Sequence, residues 1–133
     1  MIRFCQGGGY ALMLAPGHGF DTASVNYGGL TKESESFLPQ ACPIVASYGA
    51  EDRFPGVREA FDRLGPVLEA AGIDHDLKLY TEAGHGFLNA HDPRDLPMWV
   101  KLVAKLSAAS YHEESARDAR QRIITFFDAH LKL

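Results

Sequence analysis

Apolar and polar positions along the chain follow two alternating rhythms. Met1-Ile2-Arg3-Phe4, residues 23–27 and residues 43–48 are short runs of strand length, with Pro43 only at the entrance of the third. Residues 76–81 alternate Leu77 and Leu79 against Lys78 and Tyr80, the signature of a half-exposed strand near a sheet edge. Between these runs the spacing turns helical. Residues 10–14 read as a buried helix stopped by Pro16-Gly17, and Val57, Phe61, Leu64, Leu68 and Ala71 share one helical face. Pro66 should bend or split that second helix near Gly65, and Gly72 should end it. Trp99, Leu102, Val103 and Leu106 form a further amphipathic stripe, expected to pack into the core rather than to act as a lid. A last helix from about Glu113 should bury Ala116, Ala119, Ile123, Phe126 and Phe127, while the polar residues 32–36 read as loop. Strands alternating with helices predict an α/β fold: a mostly parallel sheet of about four strands with flanking helices.

Composition narrows the function classes. A chain of 133 residues fits a single domain, residues 1–133, and is long enough to bury a core. Its 13 Lys and Arg against 17 Asp and Glu give a formal charge of −4, with no basic stripe, which argues against nucleic-acid or anionic-membrane partners. The longest apolar stretch near the start, residues 11–15, is too short for a membrane span or a signal-peptide core. Two cysteines cannot build a disulfide scaffold, so a reduced, cytoplasmic setting is expected.

Three positions carry chemistry. In Phe4-Cys5-Gln6-Gly7-Gly8, a strand delivers a nucleophile-type residue into a glycine-rich turn that opens a helix. This is the layout of a nucleophile elbow: the side chain stands above the sheet, the next backbone N–H, that of Gln6, faces a developing oxyanion, and the helix N-terminus favours negative charge there. A packed structural cysteine beside a glycine run fits the same residues. A phosphate loop does not, because the Lys-Ser/Thr ending and a spaced glycine fingerprint are both missing. In Tyr48-Gly49-Ala50-Glu51-Asp52, an acid follows the third strand, where it can serve a base or cap a loop. In Ala83-Gly84-His85-Gly86-Phe87, a histidine follows the fourth. Cys5, Asp52 and His85 thus each lie just past the C-terminal end of a strand, in the nucleophile–acid–base order of α/β-hydrolases.

The remaining candidates are weaker. His18 repeats the Gly-His-Gly-Phe context of His85 but precedes the acid and follows a helix, so chain order selects His85. His75, His91, His112 and His130 read as surface or structural, with only His91 near enough in sequence to line a pocket with His85. Their spacing gives no metal site, and neither a metal nor an organic cofactor is expected. Cys42, before Pro43, reads as an inert packed thiol, and its pairing with Cys5 lacks a Cys-x-x-Cys arrangement.

These segments resemble the dienelactone hydrolase family of α/β-hydrolases, specifically Phe4-Cys5-Gln6-Gly7-Gly8-Gly9, Tyr48-Gly49-Ala50-Glu51-Asp52 and Gly84-His85-Gly86-Phe87, with a similar closing helix through residues 123–131. The likeness covers nearly the whole chain but only the C-terminal half of the family's domain. It implies hydrolysis of a lactone or carboxylic ester, with Cys5 as nucleophile, His85 as general base, Asp52 orienting it and the Gln6 N–H as oxyanion donor. The family's second oxyanion donor comes from an early loop that Met1, four residues before Cys5, leaves no room for. The elbow also normally has glycine where this chain has Arg3. The alternative reading is therefore a catalytically incompetent relic, or a half-domain that needs a partner. The first strand, residues 1–4, should present an open edge to self-association or to a partner chain.

Overall fold

The computed structural model describes residues 1–90 and 93–131. Four parallel strands run in the order β1-β2-β3-β4: β1 (Ile2–Phe4), β2 (Ala23–Asn26), β3 (Ile44–Gly49) and β4 (His75–Tyr80). The connections carry α1 (Gln6–Leu14), α2 (Lys32–Phe37) and α3 (Val57–Ala70), and α4 (Met98–Leu106) and α5 (Glu113–His130) follow β4. The α/β architecture matches the sequence pattern.

The pleat divides the core. Val25, Ile44, Ala46 and Tyr48 turn to one face of the sheet and pack with Ala11 and Leu12 of α1 and Leu64 and Leu68 of α3. Val45 points to the other face and meets Ile123 and Phe126 of α5. β2 and β3 are buried throughout, as interior parallel strands require, whereas β4 is only partly buried at its edge.

Five local expectations change. Residues 32–36 are helical, because Thr31 and Ser34 cap one another: the Ser34 N–H donates to Thr31 Oγ1 and the Thr31 N–H to Ser34 Oγ. Glu33 and Glu35 then favour the positive end of this short helix. α1 starts at Gln6, so the three glycines form its first turn rather than a loop. α3 runs as one helix with Pro66 inside it, since burial of Val57, Ala60, Leu64 and Leu68 outweighs the missing backbone donor. The Trp99–Leu106 stripe is not core: Met98 is 81% exposed, Trp99 70% and Leu106 68%. Helical period identifies an apolar face but not what lies against it. Phe127 is partly rather than fully buried, and His91 lies outside the described residues.

α5 is tied to the sheet through Arg122. Its guanidinium reaches both carboxylate oxygens of Asp76 (3.0 and 2.7 Å), Ser47 Oγ (3.2 Å) and Tyr80 Oη (3.1 Å). Arg122→Ala deletes this fork and strips the buried Ser47 of its donor. We expect a loss of about 3 kcal/mol in urea denaturation, the lower end for a broken buried pair because Asp76 keeps some water. A loss under about 1 kcal/mol would make the network ornamental.

Among the described residues no helix is long and apolar enough to cross a membrane.

Candidate active site

Cys5 stands between β1 and α1 with φ 53° and ψ −127°, a conformation that non-glycine residues rarely adopt. Backbone contacts hold it there: the Cys5 N–H donates to the Asn26 carbonyl at 3.0 Å, and the Gly8 N–H donates to the Cys5 carbonyl at 2.8 Å. Gln6 is the first residue of α1, so its N–H has no acceptor within the helix and remains available beside the thiol. The glycines let two backbones touch. A Cβ on Gly28 would lie 2.4 Å from the Gly8 carbonyl carbon and 2.6 Å from the Gly9 nitrogen. Arg3 causes no crowding, because its side chain is exposed on the outer strand and Gly7 leaves it room.

Asp52 and His85 arrive on the loops after β3 and β4. Asp52 is buried, and its two carboxylate oxygens have separate duties. Oδ1 accepts the Phe54 N–H at 2.8 Å, while Oδ2 lies 2.8 Å from His85 Nδ1. The other imidazole nitrogen, Nε2, is 3.0 Å from Cys5 Sγ. The two loops can approach because Gly49 has no side chain: a Cβ there would sit 2.3 Å from the Ala83 carbonyl oxygen and 2.8 Å from that of Gly84.

Two aromatic rings fix the imidazole, and neither carries a chemical mark in the sequence. Phe54 stacks on His85 with ring centroids 4.8 Å apart, and Tyr27 meets it edge-on at 5.2 Å. Tyr27 has φ 43° and accepts a hydrogen bond from Asn89 Nδ2 at 2.9 Å. Burial pushes its hydroxyl well above the ordinary tyrosine range, with the neighbouring Cys5 adding to the effect. The only available hints were positional: Tyr27 ends a strand at the same sheet edge, and Phe54 follows Asp52 by two.

The other sequence candidates stay apart from this group. His18 donates to the Pro16 carbonyl on the surface, His75 to the Ile73 carbonyl, and His112 caps α5 through Ser115. His130 is held near Asp74, and its pKa is raised by the Phe126 carbonyl and then by that carboxylate. Cys5 and Cys42 are both free thiols, and burial pushes the Cys42 thiol up. Among the described residues no cluster of three or more His, Cys, Asp or Glu side chains could hold a metal.

Beside Cys5, Gln6 and His85 opens a cavity of about 550 Å³. The site lies at the C-terminal ends of the parallel strands, where open α/β sheets bind ligands. The dienelactone hydrolase family profile matches residues 1–131. The chain belongs to the dienelactone hydrolase family. A Yersinia pestis protein named "Putative carboxymethylenebutenolidase" is 31% identical over 138 residues, covering 96% of this chain and 45% of that protein. A protein of the same name from Saccharolobus solfataricus is 29% identical, over 94% of this chain and 42% of its own. A crystal structure titled as a putative dienelactone hydrolase from Klebsiella pneumoniae superposes with a TM-score of 0.69 at 25% identity, covering 96% of this chain and 50% of that one. An alpha/beta hydrolase enzyme from a Medee basin deep-sea metagenome library has the same fold, with a TM-score of 0.66 at 15% identity over 96% of this chain and 52% of its own. This dienelactone hydrolase family chain therefore spans about half the length of the relatives it matches, or slightly less.

Proposed function

We propose that the chain hydrolyses a carboxylic ester or lactone through a thioester on Cys5, with His85 as general base and acid and Asp52 holding the imidazole. One observation carries this reading: the unbroken line from Cys5 Sγ to His85 Nε2 (3.0 Å) and from His85 Nδ1 to Asp52 Oδ2 (2.8 Å). His85 takes the thiol proton as sulfur attacks the carbonyl carbon, forming the C–S bond. The oxyanion meets the Gln6 N–H at the helix start. Collapse breaks the C–O bond, and the proton on His85 passes to the departing alkoxide. Water then attacks the thioester, giving one proton to His85. The acid leaves and the thiol is restored, with no metal or organic cofactor in the cycle.

Residues 1–133 act in this reading as one domain with a small-molecule substrate, without nucleic-acid or membrane partners, in the cytoplasm. A partner chain or a second copy at β1 is proposed as well. Among the described residues β1 is paired only with β2, and Ile2 and Phe4 are exposed along it. In that half-domain reading the isolated chain is a poor catalyst until the edge is covered.

Hydrolysis of 4-nitrophenyl acetate by the wild-type chain and by Cys5→Ala tests the assignment. Wild type should exceed buffer and Cys5→Ala should fall to it. Undiminished turnover in the variant overturns the nucleophile.

A further inference from the structure

The imidazole of His85 needs more than its acid to stay aimed. Asp52 Oδ2 faces Nδ1, but one hydrogen bond sets a point and leaves the plane of the ring free to rock. In the reaction proposed above, Nε2 must serve Sγ, then the departing alkoxide, then water. A misplacement of about 1 Å can cost about a hundredfold in rate. Two rings bracket the imidazole, and they differ in firmness. Phe54, stacked on it, is 41% exposed, whereas Tyr27, which meets it edge-on, is fully buried.

Tyr27 is built in against its own preference. Its φ of 43° is rare for a bulky side chain, and a glycine or asparagine would take that backbone turn more easily. An aromatic residue in this conformation persists only where its surroundings fix it. The Tyr27 N–H donates to the Ser47 carbonyl at 2.8 Å, and the next carbonyl, that of Gly28, accepts from Tyr48 Oη at 2.9 Å. The ring lies between Phe87, with centroids 5.7 Å apart, and Phe4, the neighbour of Cys5, at 6.2 Å. Its far end is pinned as well: Tyr27 Oη accepts from Asn89 Nδ2 at 2.9 Å. Asn89 follows His85 on the same loop, and its N–H closes a turn onto the Gly86 carbonyl at 2.9 Å. This hydrogen bond therefore ties the end of β2 to the loop that carries the base.

Resting on the hydrolase reading above, we propose that Tyr27 and Asn89 are a positioning pair: the bond between them holds the Tyr27 ring edge-on to His85 and keeps Nε2 aimed at Cys5 Sγ through both halves of the reaction. Neither residue exchanges a proton. Burial keeps the Tyr27 hydroxyl protonated, and the Asn89 amide carries no charge. The wall they form is thus neutral and does not compete with Asp52 for the imidazolium that forms when the thiol gives up its proton.

The experiment compares wild type, Tyr27→Phe, Asn89→Ala and the double variant in hydrolysis of 4-nitrophenyl acetate. Tyr27→Phe keeps the ring and removes only the hydroxyl. Asn89→Ala removes the same bond from the other end, where the side chain is only partly buried. Each is expected to lower kcat about tenfold with KM unchanged, a fraction of the cost of full misplacement. The double variant should fall no further than either single one, because the same bond is lost in all three. Losses that multiply, or an unchanged kcat in both single variants, overturn the proposal. A second readout needs no turnover. The His85 ring protons, assigned in NMR spectra by their loss in His85→Gln, should be shifted by the neighbouring aromatic rings in wild type and should move in both single variants. Unmoved His85 signals overturn the positioning role. Signals that move in both variants of a chain that hydrolyses no ester reject the hydrolase reading and keep the pair.

Discussion

Replacing Asp52 with asparagine is expected to lower kcat for an activated ester by about 10⁴-fold while leaving the fold intact, the size of the effect when a triad acid loses its charge. The cause is the division of labour on the carboxylate. One oxygen accepts the Phe54 N–H and the other faces His85 Nδ1, each at 2.8 Å. An asparagine can satisfy the Phe54 N–H only with its carbonyl oxygen, which turns its NH₂ toward the imidazole. His85 must then carry its proton on Nε2, facing the sulfur, and can no longer accept the thiol proton. A thermal unfolding profile like that of wild type, together with a collapsed kcat, is the expected pair of results. A loss below about tenfold would place Asp52 as a loop cap and nothing more.

The second large effect is on folding. Gly28→Ala places a methyl group 2.4 Å from the Gly8 carbonyl carbon and 2.7 Å from Gly8 Cα, against backbone that cannot swing away as a side chain does. α1 must lift off the segment after β2, and Cys5 moves with it. The expected cost is at least about 3 kcal/mol, the upper range for overpacking a tight contact, measured by urea denaturation. Gly29→Ala is the matched control. A Cβ there meets nothing within 4 Å, so its effect should stay within about 0.5 kcal/mol. Equal losses at the two positions would refute the close-approach account.

The three residues to which the proposal assigns chemistry were readable because the fold brings together what their order along the chain suggested. Cys5, Asp52 and His85 each follow a segment with a strand pattern, a continuous apolar run in β3 and an alternating one in β4, and each lies in the connection just after it. Phe54 and Tyr27 were not readable as site residues, since an aromatic ring that positions another ring looks like any core residue until the loops come together. α2 escaped for a local reason: its capping pair is Thr31 with Ser34, not the usual glutamate or glutamine, and five polar residues followed by Phe37 are too few to display a period. The stripe on α4 shows the opposite failure. Its periodicity was correct and its burial was not, because amphipathicity is a property of one helix while burial depends on what covers it.

The central claim is a covalent bond between substrate and Cys5. Rapid quenching of the chain during turnover of 4-nitrophenyl butanoate, followed by intact-mass measurement and peptide mapping, tests it most directly. A single butanoyl group on the peptide containing Cys5, absent from Cys5→Ala and cleared once substrate is exhausted, is the predicted result. Turnover with no acyl group on Cys5, matched by an equally active Cys5→Ala chain, would contradict it.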